Sequence, residues 1–356
     1  MIDVIDLKKQ FDNGFTALES VSFSIEKGDL VCLLGPSGCG KSTILNLVAG
    51  LLTPSAGDIQ FSGKSVVHTA PKDRNIGFVF QNYALYPHMT VLENIMFPLT
   101  VGKNKIKKDE AKKIAEEYMA LTNIEDLSAK KPGTLSGGQQ QRVAITRALV
   151  QKPEVLLLDE PLSNLDARLR LRIREEIRKL VKEVGITAIF VTHDQEEALS
   201  ISDKIIIMNE GVVQQYDDPQ NLYLEPANLF VAKFIGSPII NTLEIKISND
   251  QIDFGAFTAP LSVLTESRQK KKLIDGVYTF AIRPEDVQPV AEHGLVSMHA
   301  AENEVIGRDS IIRFEKNGTT IKSIVNLENT VRDEEKMLHF NFNKAFIFDE
   351  SGARVY

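Results

Sequence analysis

Nine consecutive residues near the start of the chain have the types and the spacing that bind phosphate groups. They follow an apolar run over residues 30–34, and apolar residues at helical spacing come after them. Glycines let the backbone curl its N–H groups around phosphates, Lys41 neutralises the β- and γ-phosphates, and Ser42 offers a hydroxyl to Mg²⁺. A strand, this loop and a helix in that order predict a phosphate-binding loop of the G-x4-GK[ST] type. The loop consists of Gly35, Pro36, Ser37, Gly38, Cys39, Gly40, Lys41, Ser42 and Thr43.

Two adjacent carboxylates end another apolar run further along the chain. Residues 155–158 are Val-Leu-Leu-Leu, and Asp159 and Glu160 follow them. An aspartate at the end of such a buried strand is the Walker B pattern, in which the carboxylate holds Mg²⁺ directly or through water. Glu160 has a different predicted role, because it can accept a proton from, or orient, the water that attacks the γ-phosphate. Adjacent side chains on a strand point to opposite faces, so both reach one nucleotide only because the strand ends there.

A serine, two glycines and a glutamine form a third segment: Ser136, Gly137, Gly138 and Gln139. A helical pattern over residues 141–149 comes directly afterwards. A hydroxyl and bare backbone N–H groups at a helix N-terminus favour an anion. The chain therefore has two predicted phosphate sites, which suggests that a nucleotide is sandwiched between two copies of the chain.

The Leu-Ser-Gly-Gly-Gln segment is the signature of ATP-binding cassette (ABC) ATPases, and the whole sequence closely resembles that family. The resemblance implies an α/β fold, a P-loop NTPase cassette with a RecA-like core and a helical subdomain. We expect the cassette over residues 1–235, its helical subdomain at about residues 83–150, and a small all-β domain of OB type over residues 236–356. The implied ligands are ATP and Mg²⁺.

The resemblance also assigns roles to residues that no pattern singles out. An aromatic ring near residue 11 stacks on adenine in the family; Phe11 fits best, and Phe15 is the alternative. Asp166 ends the loop 161–166, which lines the interface between two copies in the family, and it is also a good helix N-cap.

Two further residues of the implied site follow buried strands. Gln81 comes after an apolar run that ends at residue 80, and in the family it contacts the Mg²⁺ and water side of the nucleotide. His193 follows the apolar strand pattern 187–192 and matches the switch histidine that contacts the γ-phosphate. The catalytic residues implied are Glu160, His193 and Gln81, and the metal-binding residues are Ser42, Gln81 and Asp159.

Composition limits the classes of partner and compartment. The net charge is −7, and the sequence contains no basic stripe. Both observations argue against nucleic acid as the main partner. Cys32 and Cys39 are the two cysteines, so a reducing compartment is expected. The acidic N-terminus lacks the layout of a signal peptide, and no apolar run approaches the ~20 residues that span a bilayer. We expect a soluble, cytosolic protein that reaches a membrane only through a partner.

Beyond about residue 235 the sequence pattern predicts short strands and no long helices. An Asn317-Gly318 pair between residues 311–316 and 319–322 predicts a β-hairpin. Residues 282–286 and 348–352 resemble the appended domain of sugar-importer ATPases. This region is acidic, with 14 Lys and Arg against 18 Asp and Glu, so packing between subunits or regulation is expected there rather than binding of single-stranded nucleic acid. A lysine-rich run over residues 103–119 predicts a solvated amphipathic helix.

The implied function is that of the ATP-hydrolysing subunit of an ABC importer at the cytoplasmic face of the cell membrane. Its implied partners are a second copy of itself, transmembrane permease subunits and, indirectly, an extracytoplasmic solute-binding protein. The pattern favours a sugar as the solute, with a polyamine, glycerol phosphate, iron or an inorganic anion as alternatives. A soluble ABC ATPase acting on nucleic acid or the ribosome is the remote alternative, because the chain has neither a long coiled coil nor a second cassette.

Overall fold

The computed structural model describes residues 1–102, 105–331 and 334–356. It divides into two compact units, Met1–Gln220 and Asn221–Tyr356. The division comes earlier in the chain than the boundary expected at residue 235. The reason lies in contacts that residues before 235 make within the second unit: the Leu229 N–H donates to the Gly352 carbonyl at 2.9 Å, and Arg283 Nη1 donates to the Ala232 carbonyl at 3.1 Å.

The first unit is built, within its described residues, on a six-stranded and a four-stranded sheet. The six-stranded sheet has the order β10-β9-β3-β8-β7-β6, with all neighbours parallel except the edge pair β10 and β9. Its strands are β3 (Leu30–Leu34), β6 (Ile76–Val79), β7 (Val155–Asp159), β8 (Thr187–Thr192), β9 (Lys204–Asn209) and β10 (Val212–Asp217). The antiparallel sheet, in the order β2-β1-β4-β5, contains β1 (Ile2–Gln10), β2 (Thr16–Ile25), β4 (Ala56–Phe61) and β5 (Lys64–Ser65). Strands β3, β7 and β8 are almost wholly buried, as expected for parallel strands with covered faces.

Helices of the first unit follow the parallel strands or form a layer of their own. Helix α1 follows β3, α5 follows β7 and α6 follows β8, whereas α2, α3 and α4 share a separate hydrophobic core that includes Ile95, Met119 and Val143. The predicted run 103–119 corresponds to α3, and its first two residues, 103 and 104, lie outside the described residues. The helices are α1 (Lys41–Ala49), α2 (Val91–Thr100), α3 (Lys108–Leu121), α4 (Gly137–Leu149), α5 (Ala167–Val184) and α6 (Gln195–Ile201).

The second unit contains most of α7 (Pro219–Leu224) and all of α8 (Leu229–Phe234), and the strands that follow them form the predicted small all-β domain. Its described strands pair in an antiparallel manner and form two five-stranded sheets, which share one core that includes Phe280, Phe314 and Phe340. The Asn317-Gly318 hairpin is confirmed, with both turn residues at positive φ. The strands are β11 (Asn241–Ser248), β12 (Gln251–Asp253), β13 (Thr258–Pro260), β14 (Gly276–Ile282), β15 (Val287–Val290), β16 (Val296–Ile306), β17 (Asp309–Lys316), β18 (Thr319–Asn326), β19 (Glu335–Phe340) and β20 (Phe346–Phe348).

Candidate active site

Four of the predicted site segments follow neighbouring parallel strands at one edge of the six-stranded sheet. The ends of the strands are in register: Leu34 of β3 pairs with Thr192 of β8, and Val79 of β6 pairs with Leu158 of β7. The phosphate loop, Gln81, the Asp159-Glu160 pair and His193 therefore all leave the sheet at its carboxyl edge. In open α/β sheets this edge is where ligands bind.

Lys41 is held by the loop that it belongs to. Its side chain is buried, and Nζ donates to the carbonyl oxygens of Gly35 at 2.8 Å and Pro36 at 2.9 Å. Gly40, at φ 106°, caps α1 in a conformation that other residues avoid, and a Cβ there would lie 2.7 Å from a Leu18 methyl carbon. The first N–H groups of α1 and the Lys41 ammonium thus belong to one curled loop, which suits a phosphate chain.

Cys39 lies within this loop as a buried thiol. Its side chain is almost inaccessible, and its Sγ is 3.7 Å from Lys41 Nζ. Cys32 is also buried, and both cysteines are free. Cys39 therefore packs beneath the loop, where its N–H donates to the Pro36 carbonyl at 3.3 Å and its carbonyl accepts from the Gly211 N–H at 3.1 Å.

Asp159 and Glu160 differ in environment although they are adjacent. Burial first, and then the charge of Glu160, raise the pKa of Asp159, while Lys41 opposes that rise. Glu160 has a positive φ of 43°, its N–H donates to the Val191 carbonyl at 3.1 Å, and so the chain turns sharply as β7 ends. This turn is the feature that lets two consecutive carboxylates meet the same edge of the sheet.

Glu160 is contacted at both of its carboxylate oxygens. Gln81 Nε2 donates to Oε2 at 3.1 Å, and His193 Nδ1 lies 3.2 Å from Oε1. The three residues that the sequence nominates as catalytic therefore form one hydrogen-bonded group. His193 is 59% exposed and Glu160 23% exposed at the side chain, so the group is open to an incoming ligand.

Two residues that the sequence analysis did not single out fix the position of Gln81. Ser163 Oγ accepts from Gln81 Nε2 at 3.3 Å and donates to the Glu160 carbonyl at 2.9 Å. Asn164 Nδ2 donates to the Gln81 carbonyl at 2.8 Å. Both lie in the loop 161–166, and no local sequence signal tells which of its side chains faces Gln81.

The serine, glycine and glutamine segment forms the beginning of α4 itself. Ser136 is the N-cap: its side chain accepts from the Gln139 N–H at 3.4 Å, and Gln139 Oε1 accepts from the Ser136 N–H at 2.9 Å. The helix starts at Gly137 rather than at residue 141, where the apolar pattern begins, because this reciprocal capping box stabilises the first turn. Gly138 packs closely on α5, since a Cβ there would lie 3.1 Å from two Leu169 methyl carbons.

The candidate adenine residues lie in the turn that joins β1 and β2. Phe11 and Phe15 stack with their ring centroids 6.4 Å apart and their planes 16° apart. Lys9 Nζ lies 5.2 Å from the Phe11 centroid, whereas the Phe15 side chain is 57% exposed. Asp166 is the N-cap of α5, as predicted, and accepts from the Leu169 N–H at 3.0 Å. The roles of these three residues toward a nucleotide stay predictions.

Comparison with known proteins gives the family. Over 99% of both chains, the sequence is 41% identical to the trehalose/maltose import ATP-binding protein MalK of Thermococcus litoralis. The chain belongs to the ATP-binding proteins of ABC importers. Its residues 18–163 match the family model described as ABC transporter. A second relative, the sn-glycerol-3-phosphate import ATP-binding protein UgpC of Chromohalobacter salexigens, is 39% identical over 98% of this chain and 94% of its own.

A solved structure supports the same assignment for the cassette. It is described as the dimeric post-hydrolysis state of the ATP-binding cassette MJ0796 bound to ADP and Pi, and it is 35% identical with a TM-score of 0.55. The match covers 62% of this chain and 99% of that chain. The present protein is thus an ABC ATPase that binds ATP, as the phosphate loop and signature segment predict. Among the described residues, no helix is long and apolar enough to cross a bilayer.

Proposed function

We propose that this ABC ATPase works as a head-to-tail pair that binds two Mg-ATP and powers solute import through separate permease subunits. The observation that carries the proposal is the contact of Gln81 and His193 with the two carboxylate oxygens of Glu160 at the carboxyl edge of the sheet. A carboxylate held from both sides is oriented to receive a proton or to align water.

Each residue of the group has a separate task in hydrolysis. Glu160 orients the attacking water and accepts its proton, so that the water oxygen can bond to the γ-phosphorus as the bond to the bridging oxygen of ADP breaks. His193, whose ring can both donate and accept, links Glu160 to the γ-phosphate. Lys41 exchanges its contacts with the loop carbonyls for contacts with the β- and γ-phosphates, where its charge is needed.

The donor set fits Mg²⁺. Ser42, Gln81 and Asp159 offer hydroxyl, amide and carboxylate oxygens, the ligands that this cation takes together with phosphate oxygens. Because Gln81 Nε2 donates to Glu160 and Ser163, its Oε1 is the atom suited to a cation. When bound, Mg²⁺ supplies positive charge beside the phosphates.

The second half of each nucleotide site comes from the other copy. Ser136 caps α4 and Gly138 lies in its first turn, where the N-terminal N–H groups favour an anion. ATP would lie between these residues and Lys41 and Ser42 of the opposite copy. Asp166 ends the loop 161–166 at the same interface. Bound ATP then favours the closed dimer, in which each ATP contacts both copies, and hydrolysis removes this preference for the closed dimer. The dimer described for the MJ0796 cassette supports this arrangement.

The cargo in this proposal is a sugar. It rests on the relative described as a trehalose/maltose import protein, and the relative described as importing sn-glycerol-3-phosphate makes that solute the second candidate. Polyamines, iron and inorganic anions stay alternatives. The protein would sit at the cytoplasmic face of the membrane on permease subunits that receive solute from an extracytoplasmic binding protein, and nucleic acid would not be a partner.

The test of the ATPase mechanism compares the wild type with Glu160→Gln, and uses Glu175→Gln, at an exposed position of α5, as the matched control. Hydrolysis should be lost in Glu160→Gln and kept in the control. In Mg-ATP, Glu160→Gln should accumulate as a dimer on size-exclusion chromatography with light scattering. Wild-type hydrolysis by Glu160→Gln would contradict the catalytic role of Glu160.

The cargo is tested separately by uptake. Cells in which the gene is disrupted should lose uptake of labelled trehalose or maltose, regain it with the wild-type gene, and fail to regain it with Glu160→Gln. Loss of glycerol 3-phosphate uptake alone would replace the sugar proposal with the second candidate.

A further inference from the structure

An ion pair behind the candidate active site joins α5 to α6. Arg170 Nε lies 3.5 Å from Glu197 Oε1, and Arg170 Nη1 lies 3.6 Å from Asp194 Oδ2. The Glu197 side chain is only 7% exposed, whereas that of Arg170 is 33% exposed. A carboxylate this deeply buried needs a partner to remain ionised, and burial indeed raises the pKa of Glu197.

Each of these two residues also makes a hydrogen bond to a chain segment next to the catalytic group. Thr192, which directly precedes His193, donates from Oγ1 to Glu197 Oε2 at 2.6 Å, and the Asp194 N–H donates to Thr192 Oγ1 at 3.0 Å. Arg170 Nη2 donates to the Leu165 carbonyl at 3.1 Å. The pair thus ties the turn that carries His193 to the end of the loop that starts after Glu160.

A polar cavity of about 60 Å³ joins this pair to the reacting groups. Glu160, His193, Arg170 and Glu197 all contribute to its wall. The cavity is therefore continuous from the proposed general base to the ion pair, so a change at the ion pair alters the packing of the same small space.

We propose that Arg170 and Glu197 are positioning residues, which hold His193 against Glu160 during ATP hydrolysis. The inference rests on the proposed function, in which His193 and Glu160 act in hydrolysis. Neither Arg170 nor Glu197 has to touch the nucleotide in this role. They act by fixing Thr192, which directly precedes His193, and Leu165, near the end of the loop that starts after Glu160. Because a catalytic contact misplaced by about 1 Å can cost ~100-fold in rate, the expected effect falls on turnover rather than on ATP binding.

The experiment measures steady-state ATP hydrolysis by the full-length protein with Mg-ATP, normalised to the nucleotide-binding sites present. Arg170→Gln and Glu197→Gln should each lower kcat about 10- to 100-fold and leave KM within about twofold. Arg170→Lys keeps the charge but not the three donors that face Glu197, Asp194 and Leu165, so it should recover only part of the rate. The double variant should lose no more than either single variant, because the two residues act as one unit. Arg172→Gln, on the same helix in an exposed pair with Glu176, is the matched control and should retain wild-type kcat.

Folding and nucleotide binding are followed in parallel. In the Glu160→Gln background, Arg170→Gln should still give the ATP-dependent dimer, which shows that the variant folds and closes. Wild-type kcat per site in Arg170→Gln and Glu197→Gln, or a raised KM at unchanged kcat, would overturn the positioning role alone. An inactive wild type would overturn the proposed function and this inference together.

Discussion

The Nδ1 atom of His193 lies 3.2 Å from Oε1 of Glu160, although the two residues are 33 positions apart in the chain. They meet because β7 and β8 are parallel neighbours, with Asp159 opposite Val191. Gln81 reaches the other oxygen of the same carboxylate from β6, the next strand in the sheet. Parallel order thus brings three separate strand ends into one group.

Replacing His193 with alanine should reduce kcat at least about 100-fold, because a positioned acid–base or linking group contributes about 10²–10⁴ in rate. ATP affinity should change little, since Lys41 and the phosphate loop remain. Single-turnover hydrolysis separates the chemical step from product release. His68→Ala, at an exposed position, serves as the control. Equal single-turnover rates for the wild type and His193→Ala would show that the contact with Glu160 is structural.

Replacing Gly138 with alanine should abolish ATP-dependent dimerisation while changing the stability of the protein only slightly. The new Cβ would meet the Leu169 methyl carbons at 3.1 Å and push α4 from α5, while alanine is about 1 kcal/mol better than glycine within a helix. The free energy of unfolding should therefore change by less than about 2 kcal/mol, because the two effects oppose each other.

The ATP-dependent dimer should nevertheless be lost in Gly138→Ala, because the helix N-terminus is displaced. Light scattering in Mg-ATP, in the Glu160→Gln background, measures this. At Gly133 a Cβ meets nothing within 4 Å, so Gly133→Ala is the control. A Gly138→Ala protein that still dimerises would remove Gly138 from the second half of the site.

Phe11→Ala should weaken ATP binding about tenfold, because stacking on a base is worth about 1–3 kcal/mol. Phe15→Ala should have a smaller effect, although Phe15 is the more exposed residue of the two. Equilibrium titration with ATP and with inorganic triphosphate distinguishes adenine contact from phosphate contact, since only ATP binding should respond. A larger loss in Phe15→Ala would make the second aromatic the adenine contact.

Arg283→Lys should destabilise the second unit by about 3 kcal/mol, since buried carbonyls left without donors are costly. The guanidinium donates to the carbonyls of Ala232, Ile235 and Tyr223 and lies 4.1 Å from the Tyr223 ring centroid. A lysine ammonium cannot reproduce that planar set of donors. Hydrogen exchange of β14 amides in the full chain measures the loss, with Arg308→Lys, at an exposed position, as the control. Unchanged protection would show that residues before 235 are not fixed by Arg283.

Glu197→Gln should change the pH dependence of stability. Burial raises the pKa of Glu197, with Asp194 adding to the rise and Thr192, Arg170 and His193 opposing it. The folded state therefore binds this proton more tightly than the unfolded state, so the carboxyl lowers wild-type stability as pH rises from the unfolded pKa, near 4.5, through the raised folded value. The Glu197→Gln variant lacks this decrease of stability with rising pH, because glutamine does not titrate.

The relevant measurement is the free energy of unfolding of the wild type and Glu197→Gln at several pH values from 4.5 upward. The stability of Glu197→Gln relative to the wild type should rise with pH over that window. A relative stability that falls with rising pH would mean that Arg170 and Thr192 outweigh burial and that the folded pKa is lowered.

Much of the cassette could be predicted from the sequence because its signals are local. The phosphate loop needs a strand, glycines, Lys41 and a helix in immediate succession, and the Walker B strand needs only an apolar run before Asp159. The Asn317-Gly318 hairpin is local for the same reason. The segment that begins with Ser136 is local as well: a serine and two glycines before a helical pattern predict a helix N-terminus, and α4 begins there, capped by Ser136.

The sequence by itself determined the α/β cassette, the phosphate loop and the family, since these depend on residues that are contiguous in the chain. The tertiary structure alone decided that Gln81 and His193 contact opposite oxygens of Glu160, that Ser163 and Asn164 hold Gln81, and that Arg170 pairs with Glu197. It also decided that residues from Asn221 onward belong to the second unit. Each of these depends on strand order and helix packing between distant segments, which no local pattern of side chains specifies.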